Sequence, residues 1–508
     1  MTEAIPTLPD QWARSQPDRV AVIADGLTLT ASELDARADA AAEGLRQLGI
    51  GEGDTVGLRL QTTAQWVVLM LALSKLGARL LGVNWRLLAE EVNFLLVDAR
   101  ATLLVFDDED AEAFVGSLTA LARSAVVPAC QLDPPASLLQ VARPTLPLTG
   151  LCEQIIYTSG TTGKPKGIVL RWRPSGDERL RRYQADVASG HRRYGADDVV
   201  LVSMPLHHGS GSSQIKTALC KGATVVLQKR FSPANWFDLV ERHGVTHWTG
   251  VPTMFKRLRT YQEQTGRKAP GVRSLGIAAA PVPMAIKRWI QDQFGSVLYE
   301  SYGSTETGLL TLMRPQAHFS KPGSCGLPYQ GVDIEIRRTD GSLCALGEEG
   351  EIWANTPVTI TGYLNAPPLG VDTRDARGFL RVGDVGRCDA DGYLHITDRA
   401  KDMIICGGVN IYPAEIESAF YLHPDVQDIA VIGVPDDEFG ERVIAYYESK
   451  TGAPIADAEL IEVGRKSLAS YKRPRSYVHV IDLPRNAVGK VLKRELRQPH
   501  WARQERNV

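Results

Sequence analysis

The chain of 508 residues lacks a long uninterrupted apolar segment. Its most apolar stretch, WVVLMLALSKLGARLLGV, is interrupted by Lys75 and Arg79, so it is too short and too charged to cross a bilayer. The first residues, MTEAIPTLPDQW, show no basic region followed by an apolar one, which is the pattern of a secretory signal peptide. These absences predict a protein without integral membrane contact.

Excess charge and paired cysteine motifs are absent as well. The formal net charge is −2, so no global electrostatic field attracts nucleic acid. The seven cysteines are scattered and odd in number, without C-x-x-C spacing, which favours reduced thiols in a cytoplasmic protein over disulfides or a zinc site. Apolar and charged contents of 44% and 23% are typical of a globular chain, here long enough for two or more domains.

The common phosphate loop G-x-x-x-x-G-K-[ST] is also missing, but a different polar loop occupies residues 157–167, YTSGTTGKPKG. Gly160 and Gly163 lie too close together for the common loop, and Pro165 follows Lys164. The flanking stretches EQIIY and GIVL both read as strands, so the expected unit is strand–loop–strand without a helix N-terminus. An anion at this loop would be bound by backbone N–H groups, hydroxyls and lysine charge.

Helix and strand patterns alternate over most of the chain and predict layered α/β sheets. A helix is expected from Thr30 to the residues before Gly49, and another from Gln65 to Lys75. From about Val332 the pattern becomes strand-rich, which predicts a β-rich subdomain, and a compact α+β pattern follows Lys401. The expected strands are DTVGLRL, ARLLGV, DVVLVSM, ATVVLQ, VTHWTG, SLGIAAA, VDIEIRR, GEIWAN, GYLHIT, DIAVIGV and RVIAYYES.

Four further stretches combine reactive and small residues. ESYGSTETG follows the strand SVLY, which predicts Tyr302, Thr305 and Glu306 at a strand's carboxyl end. RVGDVGR predicts Asp384 in a turn, and PRNAVGKVLKREL presents Lys490 on a glycine turn. The fourth, DRAKDMIICGGVNIYPAEIE, spans residues 398–417. Each stretch alone is also compatible with an ordinary turn, core edge or surface side chain.

In their order along the chain, the five motifs closely resemble those of the adenylate-forming superfamily, which comprises acyl-CoA synthetases, carrier-protein adenylation domains and beetle luciferases. The resemblance covers essentially the whole chain and is greatest to acid–CoA ligases. It implies an amino-terminal ATP- and acid-binding domain over residues 1–398 and a mobile carboxy-terminal domain over residues 399–508, with a hinge at Lys401. It also implies that a carboxylic acid is adenylated by ATP with Mg²⁺ and then transferred to the thiol of coenzyme A.

The resemblance assigns roles to individual residues. Glu306 is expected to bind Mg²⁺, Thr305 the α-phosphate, and Lys490 the reacting carboxylate and bridging oxygen. Tyr302 is expected to stack on adenine, facing residues 278–280, while Asp384 and Arg399 bind the ribose. The full set of expected nucleotide and coenzyme A contacts is Thr158, Ser159, Gly160, Thr161, Thr162, Gly163, Lys166, Ala279, Ala280, Tyr302, Gly303, Asp384, Arg399, Gly407 and Gly408.

The acid pocket is expected around His207, which occupies the family's gating position, with His208 beside it. The small residues GSGS that follow, and Gly303, are expected to widen the pocket. These stretches contain no lysine or arginine for a second carboxylate, which favours a monocarboxylic acid of aryl, cinnamyl or medium acyl size.

One segment departs from the family pattern, because Arg171, Trp172 and Arg173 replace the usual Thr-His pair after the phosphate loop. It is interpreted as a solvated helix start, with an edge of the acid pocket or a coenzyme A contact as alternatives. The acceptor also stays open, since a carrier-protein thiol or an amine could replace coenzyme A. A catalytically silent relative is disfavoured because Glu306 and Lys490 are present.

Overall fold

The computed structural model describes residues 8–107, 112–122, 125–132, 146–158, 165–171, 176–278, 282–399, 402, 404–406, 409–411, 413–436, 439–468, 470–485 and 491–501. The helices of this part of the chain are α1 (Pro9–Ser15), α2 (Ala31–Gln47), α3 (Ala64–Leu76), α4 (Ala89–Asp98), α5 (Glu112–Gly116), α6 (Glu178–Ser189), α7 (Gly209–Cys220), α8 (Pro233–His243), α9 (Pro252–Thr265), α10 (Met284–Phe294), α11 (Pro413–Phe420), α12 (Asp457–Ser467) and α13 (Lys493–Trp501). Single 3-10 turns occur at Ala129–Gln131, Pro315–Ala317 and Ser470–Lys472.

The strands are β1 (Val20–Ala24), β2 (Leu27–Thr30), β3 (Thr55–Arg59), β4 (Arg79–Gly82), β5 (Leu103–Phe106), β6 (Val126–Pro128), β7 (Gln154–Thr158), β8 (Lys166–Leu170), β9 (Val199–Val202), β10 (Thr224–Leu227), β11 (His247–Gly250), β12 (Ser274–Ile277), β13 (Leu298–Ser304), β14 (Gly308–Met313), β15 (Ser324–Pro328), β16 (Asp333–Arg337), β17 (Gly350–Asn355), β18 (Leu380–Cys388), β19 (Leu394–Arg399), β20 (Ile404–Cys406), β21 (Val409–Ile411), β22 (Val426–Asp436), β23 (Gly440–Ser449) and β24 (Ser476–His479). Every strand expected from the sequence is present.

The largest sheet has 13 strands in the order β16-β17-β18-β19-β15-β14-β13-β12-β11-β9-β10-β1-β2. Its central strands β10, β9, β11, β12 and β13 are parallel, as the helix–strand alternation predicts. From β14 onwards the pairing is antiparallel. The β-rich region is therefore continuous with the α/β sheet, because β15 pairs with β14 on one side and with β19 on the other.

A second sheet has six strands in the order β6-β5-β3-β4-β7-β8, parallel except for the edge strand β8. One hydrophobic core contains Val56 and Leu80 of this sheet, Val200 and Val225 of the larger sheet, and most of α3. Helix α3 suits that position because ten of its 13 residues are buried. The two sheets are therefore joined by a shared apolar core.

The small carboxy-terminal domain contains a five-stranded sheet of β20 to β24 with helices α11, α12 and α13. It has its own hydrophobic clusters, which include Ile416, Phe420 and Val431 on one side and Ile432 and Leu483 on the other. The protein is thus mixed α/β, with a large amino-terminal domain and a small α+β domain, as the sequence predicts. The expected hinge residue Lys401 lies outside the described residues.

The predicted turn at Asp384 is wrong. Asp384 lies within strand β18 and is paired with Arg399 of β19. The preceding Gly383 has φ of 82°, and the register shifts between Val385 and Gly386, so the glycines serve a β-bulge and the strand continues. Strand β13 is also longer than expected, since it continues through Tyr302 to Ser304. Among the helices of the described part of the chain, none combines the length and the apolar character needed to cross a membrane.

Candidate active site

A cleft of about 2850 Å³ lies between the large and the small domain. Its wall contains Lys166, Tyr302, Gly303, Glu306 and Asp384, all of which are expected from the sequence to contact the nucleotide or its Mg²⁺. The small domain contributes further lining residues, including Tyr421, Asp428 and Val491. Residues from β8 of one sheet and from β13 and β18 of the other therefore share one cavity.

Tyr302 and Asp384 contact each other directly. The Tyr302 hydroxyl donates a hydrogen bond of 2.6 Å to Oδ2 of Asp384, although the two residues are 82 positions apart. Asp384 is buried and Tyr302 is half-buried. The ring and the carboxylate thus lie side by side, in an arrangement that suits a planar base next to a sugar with two hydroxyl groups.

Glu306 and Lys166 meet at the ring of Tyr363. The Tyr363 hydroxyl donates to Oε1 of Glu306 at 3.4 Å, and Nζ of Lys166 lies 4.9 Å from the ring centroid. Burial, reinforced by the negative charge of Glu306, raises the pKa of Tyr363 to about 12, so its hydroxyl keeps its proton and donates. Within the described residues, neither Glu306 nor Lys166 forms a salt bridge, which leaves one carboxylate and one ammonium available to a ligand in the cleft.

The turn that carries Glu306 is held by its neighbours. The backbone N–H of Ser304 donates to Oγ1 of Thr307, and that of Thr307 donates to Oγ of Ser304, both at 3.2 Å. Thr356 donates a further hydrogen bond of 2.7 Å to the carbonyl of Thr307. These bonds fix the backbone on both sides of Thr305 and Glu306, so the two side chains are presented from a rigid turn.

These residues fit a Mg²⁺–nucleotide complex. Mg²⁺ is usually bound by one or two carboxylates together with water and substrate phosphates, and seldom by an all-protein cage. The described residues contain no group of three or more His, Cys, Asp and Glu that could hold a metal ion. The carboxylate of Glu306 and the ammonium of Lys166, which contact the same tyrosine and form no salt bridge within the described residues, match the first arrangement.

The phosphate loop is a hairpin connection, as the sequence predicts. Strands β7 and β8 pair antiparallel, with Thr158 opposite Lys166 at the end of the ladder. The expected contacts Ser159, Gly160, Thr161, Thr162, Gly163, Ala279, Ala280, Gly407, Gly408 and Lys490 lie outside the described residues. Arg399 is described only through its backbone, which pairs with that of Asp384.

His207 and His208 lie on the segment between β9 and α7, and His207 is not among the residues that line the cleft. Their rings are 4.4 Å apart between centroids. Burial, followed by the charges of His208 and Arg86, holds the pKa of His207 well below its usual value. The Nε2 atoms of both rings are buried, without a hydrogen-bond partner in the described residues. Two neutral imidazoles are therefore free to contact a polar group.

The expectation that small residues widen the acid pocket is wrong at two glycines. A Cβ at Gly211 would lie 2.5 Å from the carbonyl oxygen of Pro205, and a Cβ at Gly303 would lie 2.1 Å from that of Gly308. Backbone therefore already occupies the position that a Cβ would take at both glycines. Their role is close packing between chain segments.

Arg171 forms an ion pair of 3.3 Å with Glu153, which also pairs with Arg79 at 3.4 Å. The side chain of Arg171 is more than half exposed, at 59%. This surface pairing is compatible with the solvated interpretation. Trp172 and Arg173 lie outside the described residues, so the alternatives for this segment stay open.

Two family models match the chain. The model of the AMP-binding enzyme family matches residues 9–364, and that of the AMP-binding enzyme C-terminal domain matches residues 415–490. The chain belongs to the AMP-binding enzyme family. The first match includes the phosphate hairpin and the turn of Glu306, and the second includes most of the small domain.

Individual relatives of this AMP-binding enzyme align over nearly the full length. A feruloyl-CoA synthase from Amycolatopsis sp. is 35% identical over 500 residues, covering 96% of this chain and 98% of the relative. A fatty acid–[acyl-carrier-protein] ligase, ScoC, from Streptomyces coeruleorubidus is 31% identical over 508 residues, covering 98% and 96%.

The fold is similar to solved structures of o-succinylbenzoate CoA synthetase (MenE) from Bacillus subtilis, which is 30% identical. The complex with the acyl-adenylate intermediate OSB-AMP gives a TM-score of 0.82, covering 97% of this chain and 98% of that chain. A double mutant bound to the product analogue OSB-NCoA gives 0.67 with the same coverage.

Tyr363 is a site residue of this AMP-binding enzyme that the sequence reasoning missed. It contacts both Glu306 and Lys166, but it belongs to the irregular segment between β17 and β18, where no periodic pattern draws attention to it. The only available signal is the aromatic residue in TGYLN, a turn-like stretch of small and polar residues. Its position over Lys166 depends on chain pairing that the local sequence does not specify.

Proposed function

We propose that this AMP-binding enzyme is an acid–coenzyme A ligase. It activates a carboxylic acid with ATP to an acyl-adenylate and pyrophosphate, and then transfers the acyl group to the thiol of coenzyme A with release of AMP. The observation that carries this proposal is the shared cleft, in which the Tyr302–Asp384 pair and the Glu306–Lys166 group face one cavity. The names of the full-length relatives agree with it, since two of the three proteins act with coenzyme A.

During adenylation, different residues of the chain bind different parts of the two reactants. Both reactants are anions, so their charges must be neutralised before they approach each other. Lys166 and the hairpin loop bind the outer phosphates, Thr305 the α-phosphate, and Tyr302 and Asp384 the nucleoside. Glu306 would hold Mg²⁺, which would supply further positive charge at the phosphates. Lys490 reaches the reacting carboxylate, where negative charge develops in the transition state.

The acid is proposed to be a monocarboxylic acid of aryl, cinnamyl or medium acyl size. His207 and His208 are proposed to border the acid pocket, where their neutral rings would favour an uncharged polar group. Arg86 is close enough to influence the pKa of His207, so a substrate with a second carboxylate is the specific competitor to test. Ferulate and 2-succinylbenzoate therefore form an informative pair of candidate acids.

The organisation of the chain is proposed to follow the family. The large domain comprises residues 1–398 and the mobile small domain residues 399–508, with Lys401 as hinge and Gly407 and Gly408 beside the entering thiol. A cytoplasmic location suits a substrate such as ATP and the scattered cysteines.

The second candidate function keeps adenylation and replaces coenzyme A with a carrier-protein thiol or an amine. The similarity to ScoC supports the carrier protein.

The decisive experiment is ATP–pyrophosphate exchange over a panel of acids, because it reports adenylation whatever the acceptor is. The panel contains benzoate, ferulate, octanoate and 2-succinylbenzoate. Lys490→Ala is expected to lower exchange by ~10²–10³, the usual effect of one transition-state charge contact, while thiolysis of a supplied acyl-adenylate is retained. Lys466→Ala, which removes an exposed lysine of the small domain, is the matched control and should leave exchange unchanged.

Product mass after addition of coenzyme A or a phosphopantetheinylated carrier protein identifies the acceptor. An acyl-CoA product supports the first candidate, and acylation of the carrier protein alone supports the second. Absence of exchange with every acid would contradict both. Equal loss of the two half-reactions in Lys490→Ala would contradict the role given to that lysine.

A further inference from the structure

A lysine of the large domain inserts into the small domain. Lys256 lies on α9, and its Nζ is 3.0 Å from Oδ1 of Asp428 on β22, which is 172 positions further along the chain. The same ammonium lies 4.1 Å from the ring centroid of Tyr421. We call Asp428 and Tyr421, with Arg485 and Glu448 behind them, the lysine socket.

The lysine socket is complete within the small domain before Lys256 enters. Asp428 accepts hydrogen bonds from Arg485 at 2.7 Å and from the backbone N–H of Ile429 at 2.9 Å, and also from the Tyr421 hydroxyl. Arg485 donates to Glu448 as well, at 2.8 Å. Loss of Lys256 would therefore leave Asp428 paired, so the small domain does not need this lysine in order to fold.

The contact is nevertheless largely removed from water. The exposed side-chain fractions are 12% for Lys256 and 7% for Asp428. Burial lowers the pKa of Lys256, while the charge of Asp428 opposes that effect. Burial also opposes ionisation of Asp428, but the charges of Lys256 and Arg485 outweigh it, and its pKa is lowered. The two groups therefore face each other as an ion pair, to which the Tyr421 ring adds a cation–π contact.

The charges of the lysine socket balance only when Lys256 is inserted. The contact therefore requires one geometry, and it is reversible. With Lys256 inserted, two cations face the carboxylates of Asp428 and Glu448, so the socket is neutral. With Lys256 withdrawn, one net negative charge stays behind and must be hydrated, as must the ammonium. A buried ion pair gains little net stability over hydrated charges, but it requires accurate placement of both partners. Such a pair favours one domain arrangement but still allows the two domains to separate.

The selected arrangement corresponds to the adenylation step. Val491, the residue after Lys490, lines the cleft together with Tyr302, Glu306 and Asp384. Val491 of the small domain and the proposed nucleotide-binding residues of the large domain therefore share one cavity wall. The whole chain also superposes better on the acyl-adenylate complex of MenE than on the product-analogue complex of its double mutant.

We propose that Lys256 is a positioning residue that holds the small domain in the arrangement required for adenylation by inserting its ammonium group into the lysine socket. This inference rests on the proposed function. It makes adenylation, but not thiolysis, depend on a large-domain side chain whose ammonium group is held by Asp428 and Tyr421 of the small domain. Release of Lys256 from the socket then accompanies the domain movement between the two half-reactions.

The test compares the two half-reactions in Lys256→Gln. Pyrophosphate exchange is expected to fall by up to roughly tenfold, because a loss of ~1.4 kcal/mol lowers the equilibrium constant for the competent arrangement by that factor. Thiolysis of a supplied acyl-adenylate should be unchanged or faster. Lys256→Arg keeps the charge and should restore exchange. Arg257→Gln, at the exposed next position of the same helix, is the matched control and should alter neither half-reaction.

A second measurement reports the domain arrangement without any chemistry. Spin labels replace the exposed residues Glu263 of α9 and Glu462 of α12, in a background where the exposed Cys130 is replaced by serine. Electron–electron double resonance should give one dominant distance for the otherwise wild-type protein and a broader distribution for Lys256→Gln.

The outcomes separate this proposal from the proposed function. Equal loss of both half-reactions, or an unchanged label distribution in Lys256→Gln, would overturn the role of Lys256. If the wild-type protein supports no exchange with any acid, the proposed function fails, and the label distances alone decide whether the lysine docks the small domain.

Discussion

At the scale of single residues, burial decides the charge state of the histidine pair. His208 is mostly buried, and desolvation lowers its pKa to about 4 from a usual value of 6.5. His207 is shifted in the same direction by burial and by its neighbours. Both rings are therefore neutral near pH 7, so each can donate one hydrogen bond and accept another without carrying a charge.

The lowered pKa of His208 predicts a pH-dependent loss of the protein's stability. In the unfolded chain His208 takes up a proton as the pH falls through 6.5, whereas the folded protein does so only near pH 4. The unfolded state thus binds more protons in this window, and stability falls with falling pH. Between pH 7 and pH 5, His208→Gln should reduce this loss by about 2 kcal/mol.

Urea denaturation of the large domain at pH 7 and pH 5 measures the effect. The matched control is His243→Gln, because His243 is less buried and its pKa is lowered to a smaller extent. An equal pH dependence in the His208 variant and the wild-type protein would show that the imidazole is hydrated in the folded state.

At the scale of secondary-structure elements, helices α2 and α3 can be compared directly, because each is preceded by a threonine. Thr30 caps α2, since its Oγ1 accepts from the Glu33 N–H at 3.2 Å while the Glu33 carboxylate accepts from the Thr30 N–H at 2.8 Å. Thr63 precedes α3 but forms no side-chain cap, and its Oγ1 is buried without a partner in the described residues.

Thr30→Ala is therefore expected to destabilise the protein by about 1 kcal/mol, the usual cost of a lost capping box. Thr63→Ala removes only an unsatisfied hydroxyl and should be neutral or slightly stabilising. Denaturation midpoints of the two variants, compared with the wild-type protein, test the difference. A larger loss of stability in Thr63→Ala than in Thr30→Ala would mean that the Thr63 hydroxyl forms a hydrogen bond when the protein is in solution.

The elements were predictable wherever local pattern and local structure coincide. Helix α2 has its capping residues in sequence, and α3 ends at Gly77 with φ of 69°, so both boundaries could be predicted. The hairpin β7–β8 was predictable from two β-branched runs around a polar loop. The turn expected at Asp384 failed because glycines permit a bulge as readily as a turn, and pairing with β17 and β19 determines which one forms.

At the scale of the whole molecule, residues of both domains line the candidate active site. The motifs indicated which residues belong to the site, and the structure brings Lys166, Tyr302, Glu306 and Asp384 to one cleft. Contacts such as Lys256 with Asp428 could not be predicted, because neither residue lies in a motif and 172 positions separate them. Their meeting is a property of the domain arrangement, which no local pattern encodes.

The proposed hinge provides a test at this scale. Proline fixes φ near −65° and removes a backbone donor, so Lys401→Pro should hold a hinge residue in one conformation. Adenylation is expected to survive better than the overall formation of thioester, measured by pyrophosphate exchange and by acyl-CoA production. Lys401→Ala serves as the control for loss of the side chain alone. Similar losses in both assays would indicate misfolding or a hinge at another position.

The tight contacts around β14 also set limits for protein engineering. A Cβ at Gly303 would collide with the carbonyl of Gly308, and one at Gly326 would lie 2.1 Å from the carbonyl carbon of Leu312. These two glycines flank the strand that connects the α/β half of the large sheet to its β-rich half. Mutant libraries that aim to change the accepted acid should therefore keep both positions fixed. Substitutions at these two positions would mainly yield proteins in which the two halves of the large sheet no longer pair.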